Sequence, residues 1–457
     1  MNPVQADNCP PPGIEAFFAR AGKTPLANAF AAKRLVPPFA GMRPVPEDEI
    51  AARWGDLADQ PRSGKSLTYL QVPFCENHCL FCGFYQKPWS EEAGASYTDT
   101  LIAHLQHDAD RAYQSSGLIH AVYLGGGTPS TLSPADLARL LRAVRGYLPL
   151  APDCEITLEG RPFSLDRQKI EAALTAGANR ISLGVQTFDT AVRRSMARRA
   201  AREAVIELLE FLVATDAAAI VIDLIYGLPG QSPEIWAEDV RTAIETGIDG
   251  VDLYSLNLFP MAPLAKAIEK GKFTAIPRET YGEYFAAGAE LLHDVRWEAI
   301  STTHWRRVTR ERNLYNLEIK QGAQCLAFGP GAGGFLGGYA YGIVGELDAY
   351  QGAVKNGQSV LASLRRQPDG QDLFDHIRGA MECARLDHVW LGDTLAARGI
   401  DPDCVVPLFA QWEEAGLLTM DARWLDLTVA GRFWQVTMTQ NLIEWLKVQH
   451  EVVANHQ

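Results

Sequence analysis

The chain has 457 residues, more than one hydrophobic core usually serves, so a large domain with smaller attachments is expected. With 47% hydrophobic and 21% charged residues it is not a disordered or fibrous chain, and no apolar run reaches the roughly 18 to 20 residues of a membrane span. A formal net charge of −13 excludes a surface built to neutralise nucleic-acid phosphates, and the N-terminus lacks a basic start followed by an apolar stretch, so a cytoplasmic protein without nucleic-acid or membrane partners is expected.

Residues 1–60 carry the proline-rich stretches "CPPPG" and "LVPPFAGMRPVPEDE", which read as an extended N-terminal arm with one short helix around "PLANAFAAKRL". From 61 to 295 short apolar strands alternate with amphipathic helices. The strands are "LTYLQV" from Leu67, "AVYLGG" from Ala121, "EITLEG" from Glu155, "RISLGVQ" from Arg180, "AIVIDLIYG" from Ala219 and "GVDLYSLN" from Gly250. Helical patterns such as "SYTDTLIAHLQHDADRAY" and "SPADLARLLRAVRGYL" lie between them. Six βα units predict an α/β fold built on a parallel barrel or part of one, whose chemistry sits at the carboxyl ends of the strands. The unusual residues fall there: a cysteine loop, Gly125 to Thr128, Glu159, Gln186 and Asp223.

Residues 296–365 contain the glycine-rich "AFGPGAGGFLGGYAYG", which lacks a GK[ST] and so is no standard phosphate loop; it reads as a tight sheet region beside the barrel. Residues 366–457 turn helical and then give "GLLTMDARWLDLTVAGRFW", a winged-helix-like pattern. Between Asp369 and Gln457 six Lys or Arg stand against fourteen Asp or Glu, which excludes DNA binding by that unit.

The cysteine loop is "VPFCENHCLFCGFY", Val72 to Tyr85, with three of the chain's eight cysteines. Zinc asks for four ligands, and no second pair follows; His78 inside the loop would complete a set only with awkward geometry. A disulfide asks for an even count and an oxidising compartment. Three thiolates suit an iron–sulfur cube with one iron free of protein ligands. Cys9, Cys154, Cys325, Cys383 and Cys404 have no pairing spacings and read as ordinary thiols.

Cys75-x3-Cys79-x2-Cys82 after the first barrel strand resembles the radical S-adenosylmethionine (SAM) enzymes. The resemblance implies a [4Fe–4S] cluster on these three cysteines, SAM bound at the free iron, and reductive cleavage of SAM to a 5′-deoxyadenosyl radical. It extends over most of residues 65 to 440 toward the branch of oxygen-independent coproporphyrinogen dehydrogenase. On that pattern Tyr69 matches a tyrosine near the SAM sulfonium, and Gly125-Gly126-Gly127-Thr128 matches the stretch that approaches the SAM amino group. Glu159, Gln186, Arg198 and Asp223 fall at the branch's intervals for further SAM contacts, and Phe81 at a position near a second SAM. Of the arginines in "RRSMARRAAR", Arg198 is expected to clamp a SAM carboxylate, while Arg193, Arg194, Arg199 and Arg202 read as a solvated helix face.

The decarboxylase has a further cysteine two residues after the third; here that residue is Phe84. "TLEGRPFSL" and "CLFCGFYQ" are most similar to the anaerobic heme-degrading radical SAM methyltransferases. That resemblance implies two SAM molecules, heme as substrate, methyl transfer with ring opening to a linear tetrapyrrole and iron release, and a flavodoxin-like or other low-potential electron donor. A heme chaperone of the same superfamily and the coproporphyrinogen decarboxylase are the alternatives. For heme contacts the candidates are His304, as an iron ligand, and Arg306 or Arg307, as propionate partners. His78 reads as a proton relay or a solvated loop residue.

Overall fold

The computed structural model describes residues 12–22, 24–34, 36 and 41–454. Cys9 and the "CPPPG" stretch lie outside the described residues, as do parts of "LVPPFAGMRPVPEDE". The chain divides into two compact units, one of residues 38–371 and the other of residues 1–37 with 372–457.

The larger unit is organised by six parallel strands: β1 (Ser66–Val72), β2 (Ile119–Gly126), β3 (Leu150–Gly160), β4 (Arg180–Gln186), β5 (Ala219–Tyr226) and β6 (Gly250–Ser255). They pair in chain order, each parallel to the next. The helix after each strand completes a βα unit: α1 (Glu91–His107), α2 (Pro134–Tyr147), α3 (Arg167–Thr175), α4 (Arg202–Thr215), α5 (Pro233–Glu245) and α6 (Tyr281–Asp294). The sheet ends are not paired to each other, so the six units form a partial barrel.

Local chemistry starts these helices where the sequence puts them. Ser90, Ser133, Asp166 and Ser232 each accept a hydrogen bond from a backbone N–H three residues on, at 3.2, 3.1, 2.9 and 3.3 Å, and Pro134 and Pro233 occupy first-turn positions that need no donor. The strands are buried on both faces, as a parallel sheet covered by helices requires. Their two-residue period sorts the side chains. Leu124, Leu158, Leu183, Ile222 and Leu253 are fully buried on one face, with Leu253 packed toward Gly288 of α6. Tyr123, Glu159, Ser182, Asp223 and Asp252 share the other, which lines the barrel.

Beyond β6 the sheet gains β7 (His304–Arg306), antiparallel to β6. On its other side β8 (Gln324–Phe328) runs parallel to β1, followed by the antiparallel β9 (Gly333–Leu336), β10 (Tyr339–Ile343) and β11 (Leu361–Arg366). The glycine-rich stretch is therefore three strands and their turns. Gly334 shows why it lacks side chains: a Cβ there would come within 2.3 Å of the Tyr341 ring.

In the smaller unit, Arg385–Asp387, Trp424–Leu427 and Leu418–Met420 form a three-stranded antiparallel sheet in that order, among helices. The described N-terminal segment packs here rather than running as a free arm. Trp412 and Asn441 donate to the Phe17 carbonyl at 3.3 and 3.0 Å, and Trp434 donates to that of Pro25 at 2.8 Å. The short helix of that segment is Pro25–Asn28. None of the described helices, including the 26-residue Val429–Ala454, is long and apolar enough to cross a membrane.

Candidate active site

The cysteine loop leaves the carboxyl end of β1 and is held from both flanks. Leu80 donates its N–H to the Met196 carbonyl at 3.3 Å and accepts from Leu264 N–H at 2.8 Å, while the Asn77 amide donates to the Ala197 carbonyl at 2.6 Å. Cys75 and Cys79 are buried and Cys82 is half-buried. Two guanidinium groups reach the thiols: Arg161 Nη2 lies 3.3 Å from Cys75 Sγ and Arg198 Nη1 lies 3.6 Å from Cys79 Sγ. The Phe84 N–H points at Cys82 Sγ from 3.3 Å, and Thr128 Oγ1 lies 3.4 Å from Cys75 Sγ.

Burial pushes the Cys75 and Cys82 thiols above the ordinary range, opposed by Arg161 and Thr128 at Cys75 and by the Phe84 N–H at Cys82. Thiolates in this pocket therefore call for cationic company, which the two arginines begin to provide. Among the described residues no group of three His, Cys, Asp or Glu side chains is placed to hold a single metal ion. A single zinc gathers its sulfurs within about 2.3 Å of one centre, whereas an iron–sulfur cube takes one thiolate per iron. The donor set fits the cube.

Beside the loop lies a cavity of about 300 Å³ at the carboxyl ends of the strands. Cys79, Phe81 and Cys82 form one wall. Gly126, Gly127 and Thr128 come from the turn after β2, Glu159 from β3, Gln186 from β4, Arg198 from the loop before α4, and Asp223 from β5. Residues spread over more than a hundred positions of sequence thus meet in one space, because six consecutive strands end on the same edge.

The glycine turn packs too tightly on the first strand and the cysteine loop to carry side chains. Gly126 has φ +111°, and a Cβ on it would sit 2.5 Å from the Gln71 side chain; one on Gly127 would sit 2.6 Å from the Phe74 carbonyl oxygen. Gln186 adopts φ 73° although it is not glycine, and its buried Oε1 has no hydrogen-bond partner. Backbone strain and an unsatisfied polar atom in one residue are features of ligand sites.

Burial pushes the Glu159 carboxyl up to about 7, against the pull of the Gly126 N–H and Arg161. Asp223 is driven well above the usual carboxylate range, first by burial and then by the negative neighbours Asp252 and Glu159. Neither has a Lys, Arg or His in ion-pair reach among the described residues. Arg198, itself lowered by burial, donates to the Gly184 carbonyl and keeps its other nitrogen on Cys79. The cavity thus offers two carboxylates to a cation and a guanidinium to an anion.

Tyr69 is not among the residues that line this cavity. Its hydroxyl donates to Gln71 Oε1 at 2.9 Å, and its ring stacks on Tyr123 with centroids 6.2 Å apart. It reaches the glycine turn only through the Gln71 side chain.

The structure corrects the heme-contact candidates. His304 is fully buried, with Nδ1 2.8 Å from Asp252 Oδ2 and Nε2 3.2 Å from Glu311 Oε1 though without hydrogen-bond geometry, so burial rather than pairing keeps its ring from heme. Burial alone would lower its pKa, but the two carboxylates raise it to about 9. Arg306 is paired with Glu298 at 2.7 Å, and Arg307 with Asp249 at 3.2 Å, so neither guanidinium is free for a propionate. His78 stacks on Tyr85 at 4.4 Å, with Nε2 3.2 Å from the Cys82 carbonyl oxygen.

Arg193 is a further correction. It is not on a solvated face but buried, donating to the carbonyls of Val185 and Thr187, both at 2.8 Å, and thereby bracing the Gln186 turn. Arg194 and Arg199 are exposed, and Arg202 pairs with Glu238 at 2.9 Å.

Sequence reasoning passed over Arg161, although it follows Glu159 by two residues at the same strand end. That position was the available signal. It also passed over Tyr254 and Phe259, which line the cavity from β6 and the loop beyond it.

Three cysteines at the exit of the first of six parallel βα units, beside a cavity ringed by strand ends, define a radical SAM protein. Residues 69–243 match the radical SAM superfamily. Anaerobilin synthase of Escherichia coli O157:H7 is 43% identical over 437 residues, covering 95% of this chain and 96% of that protein. Heme chaperone HemW of Mycobacterium tuberculosis (strain ATCC 25618 / H37Rv) is 31% identical over 278 residues, 59% of this chain and 69% of that protein. Among solved structures, coproporphyrinogen III oxidase (HemN) from Escherichia coli superposes with a TM-score of 0.74 at 22% identity, covering 89% of this chain and 95% of that one, a likeness of fold. The chain belongs to the radical SAM superfamily and, within it, to the family of anaerobilin synthase. Its cofactors are accordingly a [4Fe–4S] cluster and SAM.

Proposed function

We propose that this protein degrades heme without oxygen, using SAM to methylate the porphyrin and open it to a linear tetrapyrrole with release of iron. The observation that carries this reading is the 43% identity to anaerobilin synthase over nearly the whole of both chains. A heme chaperone is the less favoured reading, because that likeness spans only 59% of this chain. When bound on Cys75, Cys79 and Cys82, the cluster supplies the electron that cleaves SAM.

The chain's own residues bind and orient. Gly126, Gly127, Thr128 and Glu159 hold one SAM, with Glu159 receiving its ammonium and the bare glycine backbone allowing the approach. Tyr69 supports this group through Gln71. Phe81, Gln186, Arg198 and Asp223 hold a second SAM, the methyl donor, with Arg198 on its carboxylate. The cationic methyl donor suits a cavity whose two carboxyls are raised by burial and form no ion pair among the described residues. A low-potential protein donates the electrons.

The test is mass spectrometry after anaerobic incubation with heme, methyl-labelled SAM and a low-potential reductant. A labelled linear tetrapyrrole, with S-adenosylhomocysteine and 5′-deoxyadenosine, is expected. Intact heme recovered stoichiometrically favours the chaperone, and loss of two carboxylates in a parallel incubation with coproporphyrinogen favours the decarboxylase; either overturns the reading.

A further inference from the structure

Resting on the heme reading above, we propose that Phe84 and Phe259 form an aromatic jaw that positions the porphyrin at the cavity. Both line that cavity, yet they are 67% and 42% exposed, against an interior of fully buried leucines and valines. Their ring centroids are 6.0 Å apart at 71°, an edge-to-face pair. Tyr254, 38% exposed, lines the same cavity, and Met261, 87% exposed, follows Phe259 by two residues. Apolar side chains gathered in this way on a folded protein mark a binding surface. Because the two rings form part of a cavity wall, the ligand they fit is a small molecule with a wide apolar face.

The jaw is built into the cysteine loop. Phe84 stands two residues after Cys82, and its N–H is directed at that sulfur. Gly83 leaves the space that Phe259 occupies, since a Cβ at Gly83 would come within 2.9 Å of the Phe259 ring. The Phe259 carbonyl accepts from Ala262 N–H at 2.9 Å, and two residues on, Leu264 N–H reaches the Leu80 carbonyl at 2.8 Å. Both rings are therefore referenced to the loop that carries the cluster ligands. A planar tetrapyrrole stacked on one ring and met edge-on by the other is held at a defined height and angle over the wall formed by Cys79, Phe81 and Cys82. Heme offers the extended aromatic face that such rings prefer in offset or edge-to-face packing.

The experiment compares full-length, cluster-reconstituted wild type with Phe84→Leu/Phe259→Leu, which keeps apolar volume without the rings, and with Phe84→Tyr/Phe259→Tyr, which keeps the rings. Heme binding is read from the Soret band, SAM binding by calorimetry, and turnover as KM and kcat for heme with the distribution of ring-opened isomers. The Leu pair is expected to raise the KM for heme by about tenfold per ring, with SAM affinity retained, and to broaden the isomer distribution; the Tyr pair restores both. A merely structural role would not move the isomer distribution. Wild-type KM and isomers in the Leu pair overturn the jaw alone. No saturable heme binding by the wild type overturns the heme reading and the jaw with it.

Discussion

Two sets of buried charge share the barrel interior, and the protein treats them differently. Glu159 and Asp223 face the cavity without an ion pair among the described residues, and burial pushes both carboxyls upward against the weaker pull of Arg161 on Glu159 and of Arg180 and His304 on Asp223. On the neighbouring elements Asp252, His304, Glu311 and Arg180 form a closed chain of contacts. His304 Nδ1 is 2.8 Å from Asp252, its Nε2 3.2 Å from Glu311, and Arg180 Nε 3.0 Å from Glu311. Burial opposes ionisation of Glu311, yet Arg180 and His304 hold it at about 2. The contrast separates scaffold from site. Arg180 and His304 tie Glu311 and Asp252 into the barrel, whereas Glu159 and Asp223 line the cavity without an ion pair among the described residues.

The largest expected effect lies on the site side. Replacing Cys75, Cys79 and Cys82 together by Ala should abolish heme turnover and leave no bound iron, where anaerobically reconstituted wild type carries about four irons and four sulfides. Iron and sulfide assays on folded variant decide this, and a full cluster in the variant contradicts the assignment. Next comes the scaffold. Arg180→Met leaves Glu311 with only His304 as a cation and should cost about 3 kcal/mol in chemical denaturation. A loss within experimental error would mean the chain of contacts does not organise the barrel.

Arg198→Ala sharpens the comparison from the site side. It should weaken SAM binding by on the order of 2 to 5 kcal/mol in anaerobic calorimetry. Wild-type SAM affinity would remove Arg198 from the carboxylate clamp.

The smallest effect is the share of the pH dependence of stability that His304 adds to that of the raised site carboxyls. His304 is raised from its ordinary 6.5 to about 9, so the native state binds its proton more tightly than the unfolded chain does. Its contribution is complete below pH 6.5, declines as pH rises, and is gone above about 9. Melting curves across that window should fall less steeply for His304→Gln than for wild type; equal slopes would show that His304 is not held as an imidazolium.

Much was legible from the residues in order, because the signals are local. Short apolar runs, amphipathic helical patterns between them, and three cysteines within eight residues depend only on near neighbours, and they located the six βα units and the cluster loop. Since parallel strands in chain order end on one edge, Gly126, Glu159, Gln186, Arg198 and Asp223 could be expected to meet, and they line one cavity. Tertiary structure decided whatever depends on partners far along the chain. His304 faces Asp252, 52 residues away, and Arg180 faces Glu311, 131 residues away, so a sequence cannot tell a paired interior charge from a free one. The same holds for Arg193, buried by carbonyls that only the folded turn presents, and for Arg161, whose thiol partner lies 86 residues off. The N-terminal segment repeats the lesson: Phe17 offers its carbonyl to Trp412 and Asn441, across 395 and 424 residues, and no local pattern records that contact.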